Sequence, residues 1–402
     1  MKIIRRAFAF LPVLFVFAAL LPAQTAEKTN TKKNYLAIVG TYTTKTNSKG
    51  IYAYRFDAAT GQLSVIGVAA ETPDPSWVVV HPNGKFLYAV NEAGKNSMVS
   101  AFALDAKTGK LTLLNQLPAL GEDPCYISFD KTGKYALVVN YTSGNIVVFP
   151  ILADGKLGKQ TAAIKDFGTV GPNKDRQEGP HAHWIEPSPD NRFLLTADLG
   201  LDEILIFPVD VAKGIFSRPD VTFASGELRA VGDPAPPHTN LKPGSGPRHA
   251  AFHPSGKFLF VISELSSTVT AFQYDAHVGA LKELQTVSTL PKDFSARNDA
   301  AEIAVHQNGT FLYASNRGHD SIAVFAIDPN EGTLKLVTHV PTGGKEPRHF
   351  AIDPTGNYLL VENQLSNNIV VFKIDPATGS LTPTGQVVDV PSPVCLVFLP
   401  VE

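Results

Sequence analysis

The chain has 402 residues with 35 basic and 37 acidic side chains, a near balance that excludes a nucleic-acid-binding surface. Only 18% of residues are charged, whereas glycines number 31 and prolines 30, which excludes an architecture of long amphipathic helices and suits an all-β chain rich in turns. Cys125 and Cys395 are the only cysteines, and each lies in an apolar strand-like run, so both read as buried thiols and not as a disulfide or a nucleophile.

In chain order, residues 1–26 read as a signal peptide. Lys2, Arg5 and Arg6 precede an apolar core over residues 7–21, and LPAQTA offers small-residue cleavage near Ala23 or Ala26. That core is short for a membrane span, so export to the periplasm or beyond is expected, with no stable membrane insertion after cleavage. Removing the three bases leaves 32 basic against 37 acidic residues. Residues 27–34 form a polar, flexible lead, and residues 35–400 form one domain.

That domain is a set of repeats. YLAIVGTYT and GIYAYRFDAATGQLSVI open it as three strands. Six fuller copies follow, beginning SWVVVHPNGKFLYAVNE, CYISFDKTGKYALVVN, HAHWIEPSPDNRFLLTAD, RHAAFHPSGKFLFVISE, AEIAVHQNGTFLYASN and RHFAIDPTGNYLLVEN. Their turns centre on Gly84, Gly133, Asn191, Gly256, Gly309 and Gly356, at spacings of 49, 58, 65, 53 and 47 residues. Four short strands per copy, joined by turns, form the blade of a β-propeller. Residues 165–179 and 221–245 read as polar loops inserted before an inner strand. PVCLVFLP (residues 393–400) is a first strand without a blade, and residues 35–66 are a blade without a first strand. Pairing them makes an all-β, seven-bladed β-propeller closed by its N- and C-terminal strands, with no exposed edges at the join.

Reflecting each hairpin about its turn gives the residues at its open end, because opposed residues are equidistant from the turn centre. Arg248 and Glu264 are equidistant from Gly256, so a guanidinium meets a carboxylate there. The same reflection sets His183 opposite Asp198, Glu302 beside Asn316 and Arg317, and Arg348 and His349 beside Glu362 and Asn363. Alternation does not decide which member of each Arg-His pair faces the channel. The opposite ends read HPNGK, DKTGK, SPDNR, HPSGK, HQNGT and DPTGN, ordinary turn chemistry that makes His81 and His253 structural. Chemistry is therefore expected at the hairpin mouths.

GPHAHW with SPDNRFLLTADLGLD, SGPRHAAFHPSGKFLFVISELSSTVTAF and PRHFAIDPTGNYLL resemble the seven-bladed lactonase propellers. That family includes bacterial 6-phosphogluconolactonases of the propeller type and the fungal carboxy-muconate lactonising enzyme. The resemblance covers nearly all of the chain after its leader. It implies a cleft at one end of the channel built from a His, two Arg and a Glu, which fall on His183, Arg248, Arg317 and Glu264 as catalytic residues. The chain departs from the family in one respect: members of the sugar-phosphate pathway act in the cytoplasm, whereas this chain carries an export leader.

Lactone hydrolysis needs a base for water, donors for the oxyanion and a proton for the leaving alkoxide. His183 or Glu264 is the base, and Arg248 and Arg317 hold an oxyanion or a substrate anion through paired donors. His181, His249, Asp198, Arg348 and Glu302 are candidate substrate-binding residues. No metal or other cofactor is required, although His181 and His183 share a strand face. The expected enzyme is a monomeric, metal-independent hydrolase of a sugar lactone. Two alternatives remain open: an exported propeller that binds a ligand or protein without turnover, and a muconate-type lactonising isomerase.

Overall fold

A computed structural model describes residues 34–401 except 167, 215 and 217–237. The expected signal peptide and most of the expected lead lie outside the described residues. Seven four-stranded antiparallel sheets stand around a channel. The inner strands of blades one to six are Trp77–Val80, Pro124–Phe129, Ala182–Pro187, Pro247–Phe252, Asp299–Val305 and Pro347–Ile352. Each touches the next around the ring, and Pro393–Pro400 fills the remaining place between blades six and one.

The closing blade forms as the sequence requires. Pro393–Pro400 pairs antiparallel with Asn34–Thr41, from Tyr35 opposite Pro400 to Gly40 opposite Cys395. Asn34 is already paired, opposite Asp57, and the Val401 N–H donates to its carbonyl, so the sheet begins one residue earlier than expected.

The second strand of each blade is an apolar run without alternation, such as Phe258–Ser263, because neighbouring blades cover both its faces. Phe260 and its neighbours Ile262, Ala314 and Phe325 are completely buried between blades four and five. Burying one such side chain stabilises the fold by about 1.5–3 kcal/mol. The outer strands are largely exposed instead. Gln62–Glu71 buries Leu63 and exposes Val65.

Two outer strands lie where the sequence did not suggest them. The fourth strand of blade two is Ala162–Lys165, after a small turn closed by an Ile151–Leu157 bridge. The fourth strand of blade three is His238–Asn240, paired with Glu203–Pro208, inside the stretch read as pure loop. A three-residue strand with one exposed histidine carries too little pattern to be seen.

The turn histidines are inter-blade ties. The Nε2–H of His81, His253 and His306 donates to the carbonyl of Gly133, Gly309 and Gly356 in the next blade, at 2.8, 2.9 and 2.9 Å. Each Nδ1 accepts an N–H of its own turn, which fixes the tautomer. Gly356 has φ +76°, and a Cβ there would lie 2.8 Å from the His306 ring, so the turn needs glycine twice over.

Candidate active site

The hairpin mouths are not regular ladders. In blade four Pro247 pairs with Ser263 and His249 with Ile262, leaving Arg248 as a bulge. His183 is the bulged residue of blade three and Arg348 that of blade six. Blade five fits both Ala301 and Glu302 opposite Ser315. A bulge breaks strict alternation and re-aims its side chain. Arg248 and His249, adjacent in sequence, thus both turn inward. The expected pairing of His183 with Asp198 is corrected by the same bulge: Asp198 lies opposite Ala182.

Glu264 is the centre of the cluster. Its Oε1 lies 2.6 Å from Arg176 Nη2, and its Oε2 lies 2.7 Å from Arg317 Nη2 and 3.1 Å from Arg248 Nε. The Arg248 contact is an ion pair whose N–H is not aligned on the oxygen. Burial opposes ionisation of Glu264, but the charges of Arg317 and Arg248, and then of Arg176, overwhelm it and hold the carboxyl far below the usual range. Arg248 is 2% exposed, and burial together with Arg317 and Arg348 lowers its pKa to about 10. Its Nη1 donates to the Ala301 carbonyl at 2.7 Å. Arg317 is braced by the Asp299 carbonyl at 3.1 Å.

His183 sits against this cluster, its ring 5.5 Å from Tyr141 and 5.1 Å from His249. Burial, then Arg248, pushes its pKa well below the ordinary value, so the ring is neutral at pH 7. Its Nδ1 is buried without a hydrogen-bond partner. The four residues expected to carry catalysis are therefore brought together from blades three, four and five.

The candidate binding residues divide. Arg348 lies 5.3 Å above the Tyr42 ring and, among the described residues, forms no ion pair with a carboxylate. His181 has both ring nitrogens occupied, by the Tyr141 carbonyl at 3.0 Å and Glu178 at 3.1 Å, and its ring stacks on Tyr141 at 4.5 Å. It supports Tyr141. Asp198 is fully buried and its Oδ1 accepts the N–H groups of His181 and Leu201, so it shapes the backbone and does not touch His183. His249 and Glu302 lie buried below the mouth, joined at 3.0 Å. Trp77 packs on Tyr126 at 4.4 Å and against His249 and His349 at 5.2 and 5.1 Å, which puts an aromatic floor under the mouth.

Arg176 and Tyr141 were not singled out from the sequence. Arg176 comes from the long loop before blade three, and its Nη2 donates to the Tyr141 hydroxyl at 3.1 Å as well as to Glu264. Hairpin reflection cannot reach a loop residue; the one available signal was an arginine within NKDRQEGPHAH, just before an inner strand. Arg176 also lines a cleft of about 530 Å³ beside the mouth, with Ser266, Arg297 and Asn298. No group of three or more His, Cys, Asp or Glu among the described residues is arranged to hold a metal ion.

Residues 36–398 match the family model "Lactonase, 7-bladed beta-propeller". A 6-phosphogluconolactonase of Bacillus subtilis is 37% identical over 365 residues, covering 91% of this chain and 98% of the relative. The structure is similar to that of a periplasmic gluconolactonase of Pseudomonas aeruginosa, with TM-score 0.82 and 33% identity, covering 91% of this chain and 99% of that one. A Bacteroides fragilis crystal structure matches at TM-score 0.82 and 39% identity over 92% of this chain and 99% of its own. With a matched model spanning the whole ring and relatives of this identity, the chain belongs to the lactonase family of seven-bladed β-propellers.

Proposed function

We propose that this protein hydrolyses a sugar lactone at the Glu264 mouth, with His183 as the base and the arginines as the electrostatic catalyst. The observation that carries this reading is the convergence of three guanidinium groups on one buried carboxylate. A structural strand tie needs one guanidinium. Three leave an excess of positive charge and unspent N–H donors in a desolvated site, suited to an oxyanion or to an anionic substrate.

Glu264 is a poor base, because both its oxygens are engaged and its proton affinity is depressed. His183 is neutral and has a free nitrogen. It takes a proton from the attacking water as the acyl oxygen becomes an oxyanion between Arg248 and Arg317. The imidazolium, steadied by Glu264, returns that proton to the ring oxygen as the acyl C–O bond breaks. The product is a hydroxy acid. A base of depressed pKa abstracts weakly, so most of the rate enhancement rests on the arginines. Arg348 is available for a substrate phosphate or carboxylate.

Export is part of the same proposal. The leader-like first 26 residues support it, as does the likeness to a protein named periplasmic. Among the described residues, no helix is long and apolar enough to cross a membrane.

The test is ring-opening of gluconolactone and its 6-phosphate, with the uncatalysed rate subtracted. We expect His183→Gln and Glu264→Gln each to lower kcat about 10²-fold or more. We expect Arg348→Ala to weaken the phosphorylated substrate selectively. Wild-type rates equal to the blank would reject the reading.

A further inference from the structure

The channel does not end at its aromatic floor. On the turn side lies a cavity of about 540 Å³ lined by Lys131, Glu186, Pro254, Gly256 and Glu302 among others. Glu302 is thus placed between that cavity and His249, which in turn lies under Arg248.

The hydrogen-bond roles along this line follow from its chemistry. A guanidinium has only donors. Arg248 Nη1 lies 3.3 Å from His249 Nε2 and 3.4 Å from its Nδ1, and Nδ1 lies 3.0 Å from Glu302 Oε2. The guanidinium therefore rests over the face of the His249 ring, and Nδ1–H donates to Glu302 when that carboxyl is ionised. Glu302 Oε1 accepts the Ile303 N–H at 3.1 Å, which fixes the carboxyl. A carboxylate bonded to Nδ1–H fixes the tautomer and enriches the ring on which the cation rests.

We propose that Glu302 is a positioning residue for Arg248, acting through His249, and that the turn-side cavity is the port through which Glu302 exchanges its proton with solvent. The inference uses the lactonase reading for its kinetic readout only. Ionisation of Glu302 makes its bond to Nδ1–H charge-assisted, enriches the imidazole ring and tightens its hold on the guanidinium that faces the oxyanion.

The groups around Glu302 set where it ionises. Burial raises its pKa to about 8, while Arg248 and Arg348 oppose that rise and Glu186 adds to it. On the blade-six side, His349 Nε2 lies 3.8 Å away, and its Nδ1 is engaged by Glu362 at 2.6 Å. Tyr126 and Cys395 face Glu302 from blade two and the closing blade, both held neutral by burial. Glu302 therefore ionises as pH rises through about 8.

The experiment compares Glu302→Gln and Glu302→Leu with wild type, by blank-corrected kinetics and by ring-nitrogen NMR of His249 without substrate. In wild type, kcat rises through about pH 8 and the His249 ring shifts follow the same midpoint. Glu302→Gln keeps the acceptor, so it retains activity but loses both pH transitions. Glu302→Leu lowers kcat about tenfold with KM little changed, the range for a lost supporting contact. If the His249 shifts are flat from pH 6 to 9.5, or if they titrate identically in Glu302→Gln, the proposal is overturned, and that result does not depend on any lactone being turned over.

Discussion

At the scale of single residues, the interior holds carboxyl groups of opposite character. Glu264 stays ionised because guanidinium groups surround it. Glu362, completely buried, is driven well above the ordinary carboxyl range, first by burial and then by Glu302. Geometry independently requires the acid form. The Leu396 N–H donates to His349 Nδ1 at 3.3 Å, so that nitrogen carries a lone pair and Glu362, 2.6 Å away, must donate a proton to it. The folded chain holds a proton that the unfolded chain sheds near pH 4.3, so this group's contribution to stability falls as pH rises above that value. Glu362→Gln keeps a donor without the titration. Urea unfolding should show the variant gaining on wild type between pH 5 and 8, by at most about 1.4 kcal/mol per pH unit. Parallel stability curves would mean that Glu362 is ionised in the fold.

At the scale of elements, two local devices do different work. Bulges at the inner-strand entrances aim His183, Arg248 and Arg348. Histidines at the far turns hold blade to blade through glycine carbonyls. These tasks sit at opposite ends of each hairpin, so they should separate by mutation. His306→Ala removes the 2.9 Å bond to Gly356 and leaves a buried carbonyl unpaired. It should cost about 1–3 kcal/mol of stability in urea unfolding, with kcat/KM unchanged. A loss of activity matching the loss of stability would show that the two ends are coupled.

At the scale of the whole molecule, the site exists because the ring is closed. His183, Arg248 and Arg317 are supplied by three successive blades and Arg348 by a fourth. Their spacing is set by how many blades share the circle, and the last blade is built from both ends of the chain. A chain truncated before Pro393 exposes the edge of Asn34–Thr41 along with its Leu396-centred core. It should melt at a lower temperature than the full chain and lose lactonase activity, and a peptide of residues 393–400 should restore both. Unchanged melting would mean that the terminal strand is dispensable.

The blade count, the closing strand and the clustering of His183, Arg248, Glu264 and Arg317 were legible in the sequence, because turn chemistry and apolar runs are local signals that repeat. Reflection about Gly256 brought Arg248 to Glu264 correctly, although the ladder there is off by one residue. The bulges were not legible, since one extra residue in a strand changes where side chains point without changing their type. Arg176 was hidden for a different reason: a loop's path over the mouth depends on the surface beneath it, which only the assembled blades provide. Whether His181, Asp198, His249 and Glu302 meet substrate or support those that do was likewise decided by burial and by the partners that other blades bring to them.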